Sequence, residues 1–237
     1  MNYVEKIKEE LKKHINEEKA AFFPRFFQAF EGGYGEGDRF LGVVVPDQRK
    51  VARKYYKLVS LKDIEKLLSE PYHECRLTAL FMMVHKFEKA KDEKEREEIV
   101  NTYLNNIGAV NNWDLVDSSA PYILGQFLWD KDKDLLYEMA QTSDLWKQRI
   151  AIMSTFYFIK QGQFDDALNI AEILLNHKHD LIHKAVGWML REIGKRDFDV
   201  EYSFLKKHYK NMPRTMLRYA IEKFEPELRQ KFLKGLI

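Results

Sequence analysis

The sequence predicts an all-α protein built as an α-solenoid of about six or seven HEAT-like antiparallel helix pairs. Three observations predict it. Apolar residues recur at helical spacing along nearly the whole chain, as Val4, Ile7 and Leu11 do at its start. Only 11 Gly and 6 Pro punctuate 237 residues. The one run of three β-branched residues, Val43-Val44-Val45, is too short to anchor a sheet. No repeat motif recurs at fixed period, but a pair spacing of roughly 35–40 residues fits degenerate HEAT-like repeats. A globular bundle of the same helices is the alternative.

Taken in order, Tyr3–Ile15 carries the Val4, Ile7, Leu11 stripe, and Lys19–Phe30 is an aromatic-rich second segment. Pro46 opens a third helix at Asp47–Lys57, because proline suits a first turn. Asp63–Leu68 is short; Glu74–Phe87 and Lys91–Asn105 come next. Trp113–Trp129, Asp134–Thr142, Leu145–Gln161 and Phe164–Asn176 continue the series. Asp180 is the expected cap of Asp180–Gly194, with Gly194 as its stop. Asp197–Tyr209, Pro213–Phe224 and Pro226–Leu233 complete it, the last two with proline in the first turn. The longest non-helical stretch, Glu31–Val45, contains Gly32-Gly33-Tyr34-Gly35-Glu36-Gly37-Asp38. It follows no strand and lacks a Gly-Lys-Ser/Thr ending, so an ordered interhelix loop is expected rather than a phosphate cradle.

Composition bounds the class. With 45% hydrophobic and 32% charged residues, the chain can bury a core, and residues 1–237 read as a single HEAT-repeat-like helical domain. No apolar run reaches the ~18 residues of a membrane span, and the charged start is not a secretory signal. A cytoplasmic location follows by default. Cys75 is the sole cysteine, which excludes an intrachain disulfide and a cysteine-rich zinc site. Net charge is +2 but segregated: 17 Lys+Arg against 11 Asp+Glu from Leu145 onward, 22 against 26 before it. The later part is a candidate polyanion surface, although half-chain imbalances of this size are common.

Three helices mix aromatic and charged residues. The first places Trp113 and Asp117 four residues apart, on one helical face. The second holds Trp146, Arg149, Tyr157 and Lys160; Arg149 and Lys160, eleven apart, share nearly the same face. The third runs Lys184, Trp188, Arg191, Lys195 at steps of four, three and four, one stripe of base, aromatic, base, base. Arg214 and Arg218 sit one turn apart further on. A helical tryptophan is most often core, and a Lys/Arg stripe is most often just a wet face. A core stripe does not normally carry three cations, so the mixture favours a surface for phosphates and bases. Asp117 has bland roles open to it as well, capping a neighbouring helix or pairing with Arg149. His177, His179 and His183 have ligand-like spacing, but a helix start falls between them with no intervening Glu, so no metal is expected. Cys75 has no evident base partner and no Gly-x-Ser-x-Gly elbow occurs, so covalent catalysis has little support.

Four ordered blocks carry a resemblance over nearly the whole chain. They are Tyr34-Gly35-Glu36-Gly37-Asp38 with Phe40-Leu41-Gly42-Val43 and Val45-Pro46; Asn112-Trp113-Asp114-Leu115-Val116-Asp117; Trp146-Lys147-Gln148-Arg149; and Lys184-Ala185-Val186-Gly187-Trp188-Met189-Leu190-Arg191-Glu192. With these the chain resembles the AlkD family of DNA alkylation-repair glycosylases, built of HEAT-like repeats. The resemblance implies Trp113, Asp117 and Trp188 as active-site residues, and Arg149 and Arg191 as arginines holding the DNA backbone. A family lysine falls on Tyr157 by simple count, with Lys160 one turn on as its expected substitute. Lys184, Arg214 and Arg218 complete the expected DNA-binding set. The family often has two adjacent tryptophans where this chain has Asn112-Trp113, a departure expected to alter packing more than chemistry.

The resemblance further implies a concave basic groove that handles the lesion without a base-flipping pocket. The expected substrate is double-stranded DNA carrying N3- or N7-alkylated purines, and the expected reaction is hydrolysis of the N-glycosidic bond. The alkylated base is cationic and already a good leaving group, so no general acid or cofactor is expected. Asp117 would stabilise oxocarbenium character in the sugar and position the attacking water. The protein is expected to act as a monomer. Two alternatives use the same fold: a non-catalytic HEAT protein binding bent, branched or damaged DNA, which would not need Asp117, and a protein–protein scaffold.

Overall fold

Helix starts are written in short polar side chains. The computed structural model describes residues 2–237. Asn2 and Asn16 accept the third amide of α1 (Tyr3–Lys12) and α2 (Glu17–Phe26). Val45–Tyr55 forms α3, with Pro46 in its first turn. Ser60 and Asp63 close a reciprocal capping box on α4 (Leu61–Leu68). The long α5 (His73–Glu88) is next, and Asp92 caps α6 (Glu93–Asn105). Each cap satisfies a first-turn amide that has no partner inside its helix.

From there the chain departs from the single helix expected over Trp113–Trp129. It forms α7 (Trp113–Asp117), a π-turn over Pro121–Gly125, and α8 (Gln126–Leu128). Pro121 brings no N–H, and the Gly125 amide donates to the Ala120 carbonyl five residues back, at 2.9 Å. The extra residue in this turn interrupts the regular helical register. Then come α9 (Asp134–Gln141), α10 (Leu145–Lys160), α11 (Asp165–Ile173), α12 (Asp180–Gly194), α13 (Phe198–His208), α14 (Arg214–Ala220) and α15 (Pro226–Lys234). The cap of α12 is not Asp180 but His179, whose ring nitrogen accepts the Leu181 amide at 3.1 Å. The helix starts at Asp180 itself, which leaves the capping position to the residue before it.

No strand occurs among the described residues; a single parallel bridge joins Arg39 and Tyr72. The valine run is not sheet: Val44 is extended backbone and Val45 opens α3. The amides of Leu41, Gly42 and Val43 all donate to the carboxylate of Glu74, at 2.8–3.2 Å. The glycine-rich segment is an ordered loop: Gly35 lies where an added Cβ would stand 2.4 Å from the Phe27 carbonyl oxygen and 3.0 Å from Asn112 Nδ2.

The chain divides into two compact units, one ending at Ser119 and the other running from Ala120 to Ile237. In the first, α5 is central: it packs on α1, α3, α4, α6 and α7, and is buried along most of its length, with Leu77, Leu80, Met82 and Met83 in the core. In the second, α9/α10 and α11/α12 form successive helix pairs, and α13 and α14 both pack on α12. Within it α10 packs on α12 and α12 on α14, so these three helices carry the core along the unit. Ile150, Ile152, Met153, Val186, Leu190 and Met216 fill that core. No helix among the described residues is long and apolar enough to cross a membrane.

Candidate functional site

In the first unit the site residues stand on a helix of only five residues, α7. A helix that short does not persist by itself. Asn112 Oδ1 accepts the Trp113 amide at 2.9 Å, Leu115 and Val116 are fully buried, and Asp114 is held by His73 Nε2 at 2.8 Å. That anchorage leaves Trp113 and Asp117 partly exposed. The Trp113 indole stacks on Phe27 at 5.5 Å and 24°, and meets the half-exposed Phe26 edge-on at 5.8 Å.

Behind this pair lies a buried network that the sequence pattern does not announce. His73, 2% exposed, reaches Asp38 Oδ2 with Nδ1 at 2.9 Å and Asp114 Oδ2 with Nε2 at 2.8 Å. Arg76 donates to Asp38 Oδ1 at 2.5 Å. The imidazole lies between Phe27, at 4.8 Å, and Phe40, at 5.2 Å. Burial works against charge on His73, but the Asp114 charge and the bonds from Asp114 and Asp38 outweigh it and push its pKa up to about 9. Burial likewise raises Asp38, yet the His73 bond and the Arg76 charge hold its carboxyl below the usual range. Asp38 and Asp114 both belong to the sequence blocks that carry the resemblance. His73, 35 and 41 residues from them, has no spacing that links it to either.

In the second unit Trp188 is partly exposed on α12. Its Nε1–H donates to Glu192 Oε1 at 3.2 Å, and its ring lies 5.9 Å from Phe156. Glu192 also accepts from Lys195 at 2.5 Å and Arg196 at 3.1 Å. Burial raises its pKa, but these bonds carry it below the ordinary value. The cations of the stripe are counter-charged within the unit: Lys184 pairs with Asp180 at 2.6 Å, and Arg191 with Glu222.

Arg149, which the resemblance matches to an arginine holding the DNA backbone, lies largely inside its unit. It is 4% exposed and donates to the Leu181 carbonyl at 2.5 Å, bracing the first turn of α12. Tyr157 is partly exposed and meets Trp129 edge-on at 6.3 Å. Lys160 is exposed, its ammonium 5.2 Å over the Phe156 ring, and Arg214 and Arg218 are exposed on α14. The three histidines serve local structure. His177 bonds Gln148 at 2.9 Å, His183 bonds the His177 carbonyl at 2.5 Å, and His179 caps α12.

The arrangement therefore offers an indole and a carboxylate on one short anchored helix, and an indole flanked by displaceable cations on another. A family model described as DNA alkylation repair enzyme matches residues 7–224. A solved structure titled a predicted DNA alkylation repair enzyme from Enterococcus faecalis is similar at 15% identity with a TM-score of 0.71, covering 90% of this chain and 98% of that one. AlkD2 from Streptococcus mutans is similar at 19% identity and a TM-score of 0.54, over 89% and 99% of the two chains. No curated protein matches the chain. At these identities the structures establish a shared all-helical fold, and the family match spans nearly the whole sequence: the chain belongs to the DNA alkylation repair enzyme family.

Proposed function

We propose that the protein is a DNA glycosylase hydrolysing the N-glycosidic bond of cationic N3- and N7-alkylated purines in duplex DNA. The observation that carries this reading is the Trp113–Asp117 pair, partly exposed on one face of a five-residue helix whose other face is anchored in the core. The C1′–N bond breaks with its electron pair passing to the base, which neutralises the alkylated ring and makes it leave. The sugar carries the positive charge, Asp117 stabilises it, and a water positioned by the same carboxylate adds at C1′ and gives up a proton. Trp113, held on Phe27, faces the cationic centre with its π-surface, a contact of about 0.5–2 kcal/mol.

From the second unit, Trp188, Lys184 and Arg191 are assigned to the DNA backbone, with Lys160, Arg214 and Arg218 as outlying contacts. The carboxylates now paired with Lys184 and Arg191 are no obstacle. The Lys184–Asp180 pair is exposed and worth only about 0–1 kcal/mol, and the Glu222 carboxylate beside Arg191 is itself 45% exposed, so a phosphate can displace either carboxylate. Arg149 is assigned to orienting α12 rather than to a phosphate, because its side chain is spent inside. Selectivity on this reading comes from the charge and weakened bond of the lesion.

The test is release of 7-methylguanine from alkylated duplex DNA by wild type and by Asp117→Asn. Wild type should exceed the spontaneous rate, and the variant should fall on the order of 10²-fold or more. No release by the wild type would leave the non-catalytic DNA binder as the reading. Equal release by both proteins would remove Asp117 from the reaction.

A further inference from the structure

Two ionised carboxylates can only accept hydrogen bonds, and a neutral imidazole has only one N–H to give. His73 meets Asp38 with one ring nitrogen and Asp114 with the other, at 2.9 and 2.8 Å. Asp38 is further held by Arg76, which keeps it ionised. Both bonds are therefore made together by the imidazolium, and the buried group of His73, Arg76, Asp38 and Asp114 is then neutral in sum. The two carboxylates are not held alike. Asp38 has Arg76 as a second donor, whereas the other oxygen of Asp114 is buried with no hydrogen-bond partner. The ring N–H is thus what ties the Asp114 carboxylate to α5. A second connection runs through the rings, since His73 packs on Phe27 and Phe27 carries the Trp113 indole.

We propose that His73 is a positioning residue for the Trp113–Asp117 pair: its imidazolium fixes Asp114 and the Phe27 ring, and through them sets where the indole and the reactive carboxylate stand. The role rests on the reading of Trp113 and Asp117 as the reactive pair, and His73 itself touches no substrate. Asp114 lies between the two on α7, so its tether fixes the rotation of a helix with only five residues to resist turning. The charged groups facing the ring are Asp38 from the loop, Asp114 from α7 and, through Asp38, Arg76 from its own helix. Glu74, next in sequence, is turned to the amides of Leu41, Gly42 and Val43. Phe27 and Phe40 supply the two faces. Loss of the ring proton breaks one of the two bonds, and Asp114 is the partner without a replacement.

The experiment uses the full chain and two readouts. The first is an NMR titration of the wild type, following the Trp113 indole N–H and the His73 ring together. The Trp113 resonance is expected to move with the His73 midpoint near pH 9, while the indoles of Trp129, Trp146 and Trp188 do not share it. The second is single-turnover release of 7-methylguanine at pH 7.5. His73→Gln is expected to be about 10- to 100-fold slower than wild type with DNA affinity within about 2-fold, the mark of misplacement rather than lost binding. A Trp113 resonance unmoved through the His73 titration, or a His73→Gln rate equal to wild type, would overturn the proposal. If the variant does not fold, the wild-type titration decides alone. If the wild type releases no base, the glycosylase reading fails, and the same titration still decides whether His73 sets Trp113.

Discussion

Glu201 carries a side chain 2% exposed, and its Oε1 is buried with no hydrogen-bond partner. Burial raises its pKa to about 8, only partly opposed by Arg191. Its ordinary value is 4.5, so the folded state holds a proton that the unfolded chain releases. The stabilising difference is complete below 4.5 and is lost as pH rises through about 8. Glu201→Gln removes that loss and should be more stable than wild type at pH 7.5 by on the order of 2 kcal/mol. Urea unfolding at pH 5 and pH 8 checks this; an equal fall in both proteins would exclude Glu201 as the source. The residue scale is also where the sequence was least even as a guide. The candidates Trp113, Asp117 and Trp188 could be singled out because steps of three and four put them beside charged or aromatic neighbours. The burial of Arg149 and His73 was not legible, because nothing in a linear pattern marks a titratable side chain as inside.

Among elements, most helices were legible from apolar spacing, and the caps Asn2, Asn16, Ser60 and Asp92 mark starts that composition alone leaves vague. The exception is Trp113–Trp129, where apolar periodicity continues across Pro121 although the hydrogen-bond ladder does not. Periodicity counts side chains and is blind to one missing amide. Close packing of α12 on α14 was equally invisible, since its determinant is an absent atom. A Cβ at Gly187 would stand 2.5 Å from the Met216 carbonyl oxygen and 2.5 Å from Tyr219 Cβ. Backbone cannot yield as a side-chain tip can, so Gly187→Ala should cost about 1–3 kcal/mol by overpacking. On the proposed function it should also weaken DNA binding, because α12 carries Trp188. Denaturant midpoints and a DNA titration read the two effects; a neutral midpoint would mean that the helices part without penalty.

For the molecule as a whole, charge is segregated along the chain, a net of +6 from Leu145 onward and −4 before it. On the proposed function the basic part meets phosphates, and its affinity should fall steeply with salt. Lys184→Glu with Arg191→Glu should weaken DNA binding and reduce the log–log salt slope by about two. An unchanged slope would remove these two side chains from the interface. The all-α class was readable at this scale; the division at Ser119 was not, because apolar spacing runs on through the π-turn just beyond it. Each unit also holds a buried proton that its unfolded chain would release near neutral pH: His73, at about 9, in the first and Glu201, at about 8, in the second. Folding near pH 7.5 is thus a proton-consuming reaction, taking up on the order of one to two protons from the buffer. Alkalinity acts on both units at once as a competitor for those protons.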